Sequence, residues 1–163
     1  MSQSFQPFVK ALSQALGVEL EASPDGALIL PQEEGGILIQ WLEASRRILF
    51  YAEVGQPTSF RRGEVFAALL EANLFLAKTR GAALSFDAGN TMVGLNLILP
   101  LDGLSPEDFV NAVDNMAAAA TTWREELGRL NGLAEEETNR QQESVLNERT
   151  AGDVQMASRQ FRV

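Results

Sequence analysis

GGILIQWLEASRRILFYAEVGQP, residues 35–57, consists of two apolar runs around a polar turn. Residues 37–42 and 48–54 are rich in β-branched and aromatic side chains, which suit a pleated strand, and Glu43-Ala44-Ser45-Arg46 between them has turn composition. The segment is therefore predicted to form two adjacent strands of a meander. Upstream, Val18, Leu20 and Ala22 alternate with Glu19 and Glu21, Ser23-Pro24-Asp25-Gly26 supplies turn residues, and 27–30 is a short apolar run. This pattern predicts a hairpin that joins the meander through the Glu34-Gly35-Gly36 turn.

Helical spacing flanks these strands. Phe5, Phe8, Val9, Leu12, Ala15 and Leu16 fall on one face of a helix expected over 4–16, with Gly17 as its stop. Past Gly55-Gln56-Pro57-Thr58, the stripe Val65, Phe66, Leu69, Leu70, Leu74 and Ala77 predicts a second helix over 59–79. Residues 82–86 and 92–99 then flank Asp87-Ala88-Gly89-Asn90, the composition of a tight hairpin. Ser105 can cap a third helix with Pro106 in its first turn, and that helix is expected to end near Leu130, before Asn131-Gly132. The predicted class is α+β, in the order helix, three-stranded antiparallel meander, helix, β-hairpin, helix. It occupies one domain over 1–130, followed by a polar tail over 131–163 with few apolar anchors, weakly helical over 134–149 or mobile.

Composition narrows the function. With 22 acidic and 13 basic residues the net charge is −9, which opposes capture of phosphate backbones and predicts no nucleic-acid partner. The doublets Arg46-Arg47 and Arg61-Arg62 read as solvated element ends. The longest apolar stretch, 92–101, is interrupted by Gly94 and Asn96 and is far shorter than a membrane span needs. The start, MSQSFQPFVK, lacks a secretory pattern, so the expected compartment is the cytoplasm.

The absence of histidine and cysteine removes imidazole bases, thiolate nucleophiles, disulfides and the usual zinc ligands. Lys10 and Lys78 sit in no nucleophile motif, and no phosphate-cradling glycine loop occurs. Acids are numerous enough to permit a hydrolase-like carboxylate pair, but Asp87, Asp102, Glu107 and Asp108 lie where turns and helix starts use them. The expectation is a binding protein with no catalytic residue, cofactor or metal.

The order of elements, with Leu69-Leu70-Glu71-Ala72-Asn73-Leu74, Gly81-Ala82-Ala83-Leu84-Ser85-Phe86-Asp87 and Val93-Gly94-Leu95-Asn96-Leu97, resembles the class I type III secretion chaperones, the Tir chaperone or CesT family. Leu99-Pro100-Leu101 leading to Leu104-Ser105, and Phe109 with Trp123, add to the likeness, which covers about 1–130. The resemblance implies a homodimer that captures the extended N-terminal segment of a secreted effector and keeps it soluble and export-competent. A regulatory antiactivator of the same fold, sequestering a protein partner, is the alternative. On this basis Phe5, Phe8, Leu12, Leu28, Leu30, Ile37, Ile39 and Trp41 are the expected effector contacts. Alternate strand residues face opposite ways, so about half of the strand members of this set have a competing place in the core. Phe66, Leu70, Asn73, Leu74, Leu84 and Phe86 are the expected dimer contacts, against the alternative that this stripe packs only on its own sheet.

Overall fold

A computed structural model describes residues 5–160, with side chains for 5–146. The order is α1 (Gln6–Leu16), β1 (Ala27–Pro31), β2 (Gly36–Leu42), β3 (Arg47–Gly55), α2 (Arg62–Ala72), β4 (Ala83–Asp87), β5 (Met92–Pro100) and α3 (Pro106–Gln160). The strands form one antiparallel sheet in the order β1-β2-β3-β5-β4, so the C-terminal hairpin inserts β5 beside β3 and leaves β1 and β4 as the edges.

Period-two patterning splits this sheet into two faces. Leu28, Leu30, Ile37, Ile39, Trp41, Ile48, Phe50, Ala52, Val93 and Leu95 point inward and are buried beneath the helices. Aromatic rings knit the layers together: Phe5 stacks on Trp41 with centroids 6.0 Å apart, and Phe109 of α3 packs against both Phe8 (5.4 Å) and Phe50 (5.6 Å).

Several boundaries match their local chemistry. Gly17 ends α1 in the left-handed region at φ 67°, and its neighbour Val18 donates its N–H to the Ser13 carbonyl. Ser105 caps α3: its Oγ accepts the Asp108 N–H at 3.0 Å and donates to the Asp108 carboxylate at 2.6 Å. Ser4, the expected first residue of α1, lies outside the described residues, as do 161–163 of the expected tail.

Three expectations are corrected. Residues 18–22 form no strand, because Ser23 engages both backbone groups of Ala27 and closes the turn there. The Leu20 N–H goes instead to Ser13 Oγ, and β1 pairs with β2. The second helix is shorter than 59–79: Arg61 at its start and Phe75 and Leu76 beyond its end all have positive φ, which helical backbone does not allow.

The third helix does not stop near Leu130. It runs 55 residues, roughly 80 Å at helical rise, through Gly128 and Gly132. Tertiary contact explains the passage. Asn131 bridges the loop before α2, accepting the Thr58 N–H at 2.9 Å and donating to the Gln56 carbonyl at 3.0 Å. Ala134 is buried, and Glu137 pairs with Arg61 at 3.3 Å, so residues expected to be tail belong to the packed body.

Candidate functional site

All eight side chains expected to meet an effector are core side chains of the chain itself: Phe5, Phe8, Leu12, Leu28, Leu30, Ile37, Ile39 and Trp41 are buried. The cause is strand parity. The chosen members of β1 and β2 share the inward face, and the amphipathic face of α1 closes over them.

The opposite face of the same strands is where apolar surface meets water. The register aligns Ile29, Leu38, Tyr51 and Asn96 in one row across β1, β2, β3 and β5, with Gln40, Leu49 and Ile98 in the next. Ile29 is 69% exposed and Ile98 49%, while Leu38, Leu49 and Tyr51 are half-buried. Tyr51 lies over Gly94, where any Cβ would run into its ring, so the glycine makes room for an aromatic platform.

Charge is distributed unevenly around this platform. Burial raises the Tyr51 phenol pKa, and the negative charges of Glu53 and Asp87 raise it further. At the far end, Arg46 grips Asp102 through two nitrogens, the shorter contact 2.6 Å, and neighbouring Arg47 is exposed. The face is thus apolar in its middle, acidic towards Glu53 and basic towards Arg47. A signal for it was present in the sequence: Gln40, Arg47, Glu53 and Asn96, the charged and amide residues of their strands, mark the outward parity shared by Leu38, Tyr51 and Ile98.

The second surface is the flank of α2 beside β4. Of its six expected members, Leu70 is 70% exposed, Leu74 62% and Phe86 36%, while Phe66 is half-buried against Phe86 with ring centroids 4.8 Å apart. Leu84 is buried and is corrected to a core residue, since it shares the inward parity of Leu95. Asn73 is turned inward. It donates to the Leu84 carbonyl at 3.0 Å and accepts the Leu84 N–H at 2.8 Å, tying the end of α2 to β4. Phe75 and Leu76, absent from the expected set, join this exposed surface.

Four of the acids are poorly suited to act as general acids. Asp25, Asp87, Asp102 and Glu126 have pKa values lowered chiefly by side-chain donors, Ser23, Asn90, Arg46 and Arg129 respectively. Each is held in its charged form, the opposite of what protonating a leaving group requires. Glu33, Glu34 and Glu125 line a cleft of about 670 Å³, but its guanidinium, on Arg124, is taken by the Glu53 carbonyl at 2.8 and 3.1 Å. Among the described residues no group of three or more acids is placed to hold a metal ion, and no helix is long and apolar enough to cross a membrane.

Known proteins place this geometry. The Tir chaperone protein (CesT) family matches residues 7–124. A chain in the heterodimeric ExoU–SpcU complex of the Pseudomonas aeruginosa type III secretion system is 26% identical, with TM-score 0.55 over 78% of this chain and 97% of that one. The ExsC–ExsE complex contains a chain of the same fold at 19% identity, TM-score 0.65, covering 78% of this chain and 97% of that one. The HopA1–SchA chaperone–effector complex contains another, at 15% identity and TM-score 0.62, covering 75% and 94%. No curated protein matches the sequence.

Proposed function

The chain belongs to the Tir chaperone protein (CesT) family, and from that premise we propose that it is a cytoplasmic type III secretion chaperone. It binds the N-terminal segment of a secreted effector in extended form and keeps it soluble and export-competent. The observation that carries this reading is the outward sheet face, where Ile29, Leu38, Leu49, Tyr51 and Ile98 line up across four strands, Ile29 and Ile98 exposed and the other three half-buried. An apolar surface of this kind marks a docking site, and an extended polypeptide suits it because alternate side chains can settle between the rows while its backbone adds to a free edge. β1 supplies such an edge, with Ile29 beside it. The resemblance of the fold to chains solved in complexes, among them a chaperone–effector complex, supports the same reading.

The working unit is a homodimer formed through the α2 flank, where Leu70, Leu74 and Phe86 leave apolar area that a second copy would bury. Effector contact belongs to the outward residues, and the eight inward ones act as the packed floor that holds the strands in register.

Co-expression with candidate effector fragments tests this. The wild-type chain co-purifies with an otherwise insoluble fragment, and Leu38→Asp or Leu49→Asp abolishes capture without unfolding the dimer. Capture that survives both substitutions would overturn the open-face assignment. If the captured protein is a transcriptional regulator and not an exported one, the sequestering function replaces the export function on the same surface.

A further inference from the structure

The free edge of β1 is narrower than its five residues suggest. Gly26 accepts the Trp41 N–H at 2.9 Å, and in an antiparallel pair such bonded positions recur at every second residue. Leu28 and Leu30 therefore bond β2, and Ala27, Ile29 and Pro31 turn their backbone groups to the edge. Two of these three positions are already taken. Ser23 Oγ accepts the Ala27 N–H at 2.9 Å, and the Ser23 N–H donates to the Ala27 carbonyl at 2.8 Å. Pro31 has no N–H, and its carbonyl accepts the Gln32 side-chain amide at 3.2 Å. That leaves Ile29, 69% exposed, as the one position of β1 whose N–H and C=O are open to another chain.

The opposite edge is shut by the same device. The Asn73 side chain occupies both edge-facing groups of Leu84, at 2.8 and 3.0 Å. Ala82, just before β4, donates its N–H to the Thr79 carbonyl at 3.1 Å and accepts the Thr79 hydroxyl. Phe86, the remaining edge position of β4, lies against Phe66 on the α2 flank. Side chains that satisfy edge groups keep other strands from adding there, so strand addition is directed to β1, through a window one residue long.

Acidic groups flank that window. Residues 11–45 carry six carboxylates and no lysine or arginine. Asp25 and Glu33 each stand four positions from Ile29, at opposite ends of β1, and both are exposed. Past Glu33 lies the cleft of about 670 Å³, lined by three carboxylates, Glu33, Glu34 and Glu125, and by one guanidinium, that of Arg124. We propose that β1 is a one-residue backbone slot for an extended guest segment that carries an apolar residue opposite Ile29 and a lysine or arginine about four positions to either side. Two hydrogen bonds to Ile29 fix the register of the guest, its central side chain packs beside the exposed isoleucine, and the flanking acids read its charge. The inference rests on the effector-binding function proposed above and names the chemistry of the guest.

Synthetic peptides of about nine residues test this against the full chain, with valine at the centre, serine and threonine between, and lysine or glutamate at both ends. Binding is followed by fluorescence polarisation and through the Ile29 amide resonance. The lysine peptide should bind about tenfold or more tighter than the glutamate peptide. Methylating its valine nitrogen, which removes one backbone donor, should weaken it about fivefold. Glu33→Gln with Glu34→Gln should weaken it about threefold or more, whereas Glu107→Gln with Glu136→Gln, an equal charge change on α3, should not. Ile29→Pro removes the edge N–H and leaves the bonds to β2, so it should lose binding with an unchanged circular dichroism spectrum, and Ile29→Val should retain it. If Ile29→Pro unfolds, the methylated peptide decides alone. Equal affinity for both peptides, equal loss from both pairs of acids, indifference to methylation, or no binding at all overturns the slot. Effector capture that Leu38→Asp abolishes and Ile29→Pro leaves intact also overturns it while the open-face reading stands. Capture indifferent to Leu38→Asp and Leu49→Asp instead removes the reading on which the slot rests.

Discussion

The two faces of the sheet are built from the same strands and from similar side chains, yet they have opposite fates. On the inner face Leu28, Leu30, Ile37, Ile39 and Trp41 are sealed under α1 and α3; on the outer face Ile29, Leu38, Leu49, Tyr51 and Ile98 stand in or near water. Hydrophobicity alone does not separate them. What separates them is which parity the helices cover, and so whether a side chain stabilises the fold or remains free to act on another molecule.

This contrast is sharpest for the buried side. Ile39 is fully buried, and Ile39→Ala should lower unfolding free energy by about 2–5 kcal/mol through lost burial and a residual cavity, read by chemical denaturation. A smaller effect comes from a place where the outer face is tightly packed. Gly94→Ala drives a Cβ into the Tyr51 ring and should cost about 1–3 kcal/mol. The double variant with Tyr51→Ala should recover most of that loss; if it does not, the platform is not what constrains Gly94.

On the open part of that face the order of effects reverses. Leu38→Asp should change stability by only about 1 kcal/mol or less, yet abolish effector co-purification. A large drop in melting temperature for Leu38→Asp would erase the distinction between the faces. The smallest effect is a titration at the edge of the sheet. Asp87 has its pKa lowered by Asn90 and the Gly89 N–H, so its contribution is present above the ordinary carboxylate pKa and disappears as pH falls through the depressed value. Backbone amide shifts of Gly89 and Asn90 should move together in that acid range while Ile39 reports an intact core.

Much of the fold was legible because it rests on local signals. The alternation in 37–42 and 48–54, the glycine after α1, the Ser105-Pro106 start and the Asp87 to Asn90 turn each carry their own chemistry, and each formed as expected. The candidate site was less legible. Alternation gives β2 two faces, and a single residue, Gln40, marks the outward parity that Leu38 shares and Ile39 does not, a signal the expected set did not use. Leu84 and Leu70 illustrate the same limit on the second surface: both are leucines in apolar stripes, one buried and one 70% exposed. Asn73 read as an interface residue because its bond to Leu84 crosses from helix to strand, a partner that sequence distance hides.

Sequence alone determined the class, the order of the main elements, the net charge of −9 and the exclusion of thiol and imidazole chemistry, because composition and short-range periodicity act through each residue and its near neighbours. Tertiary structure decided the rest. It placed β5 between β3 and β4, carried α3 past Gly132 by bonding Asn131 to the loop before α2, and chose which face of the sheet went under the helices. These outcomes depend on contacts between segments far apart in the chain; a polar residue such as Gln40 can mark the outward parity of a strand, but the helices that cover the other face come from elsewhere in the chain.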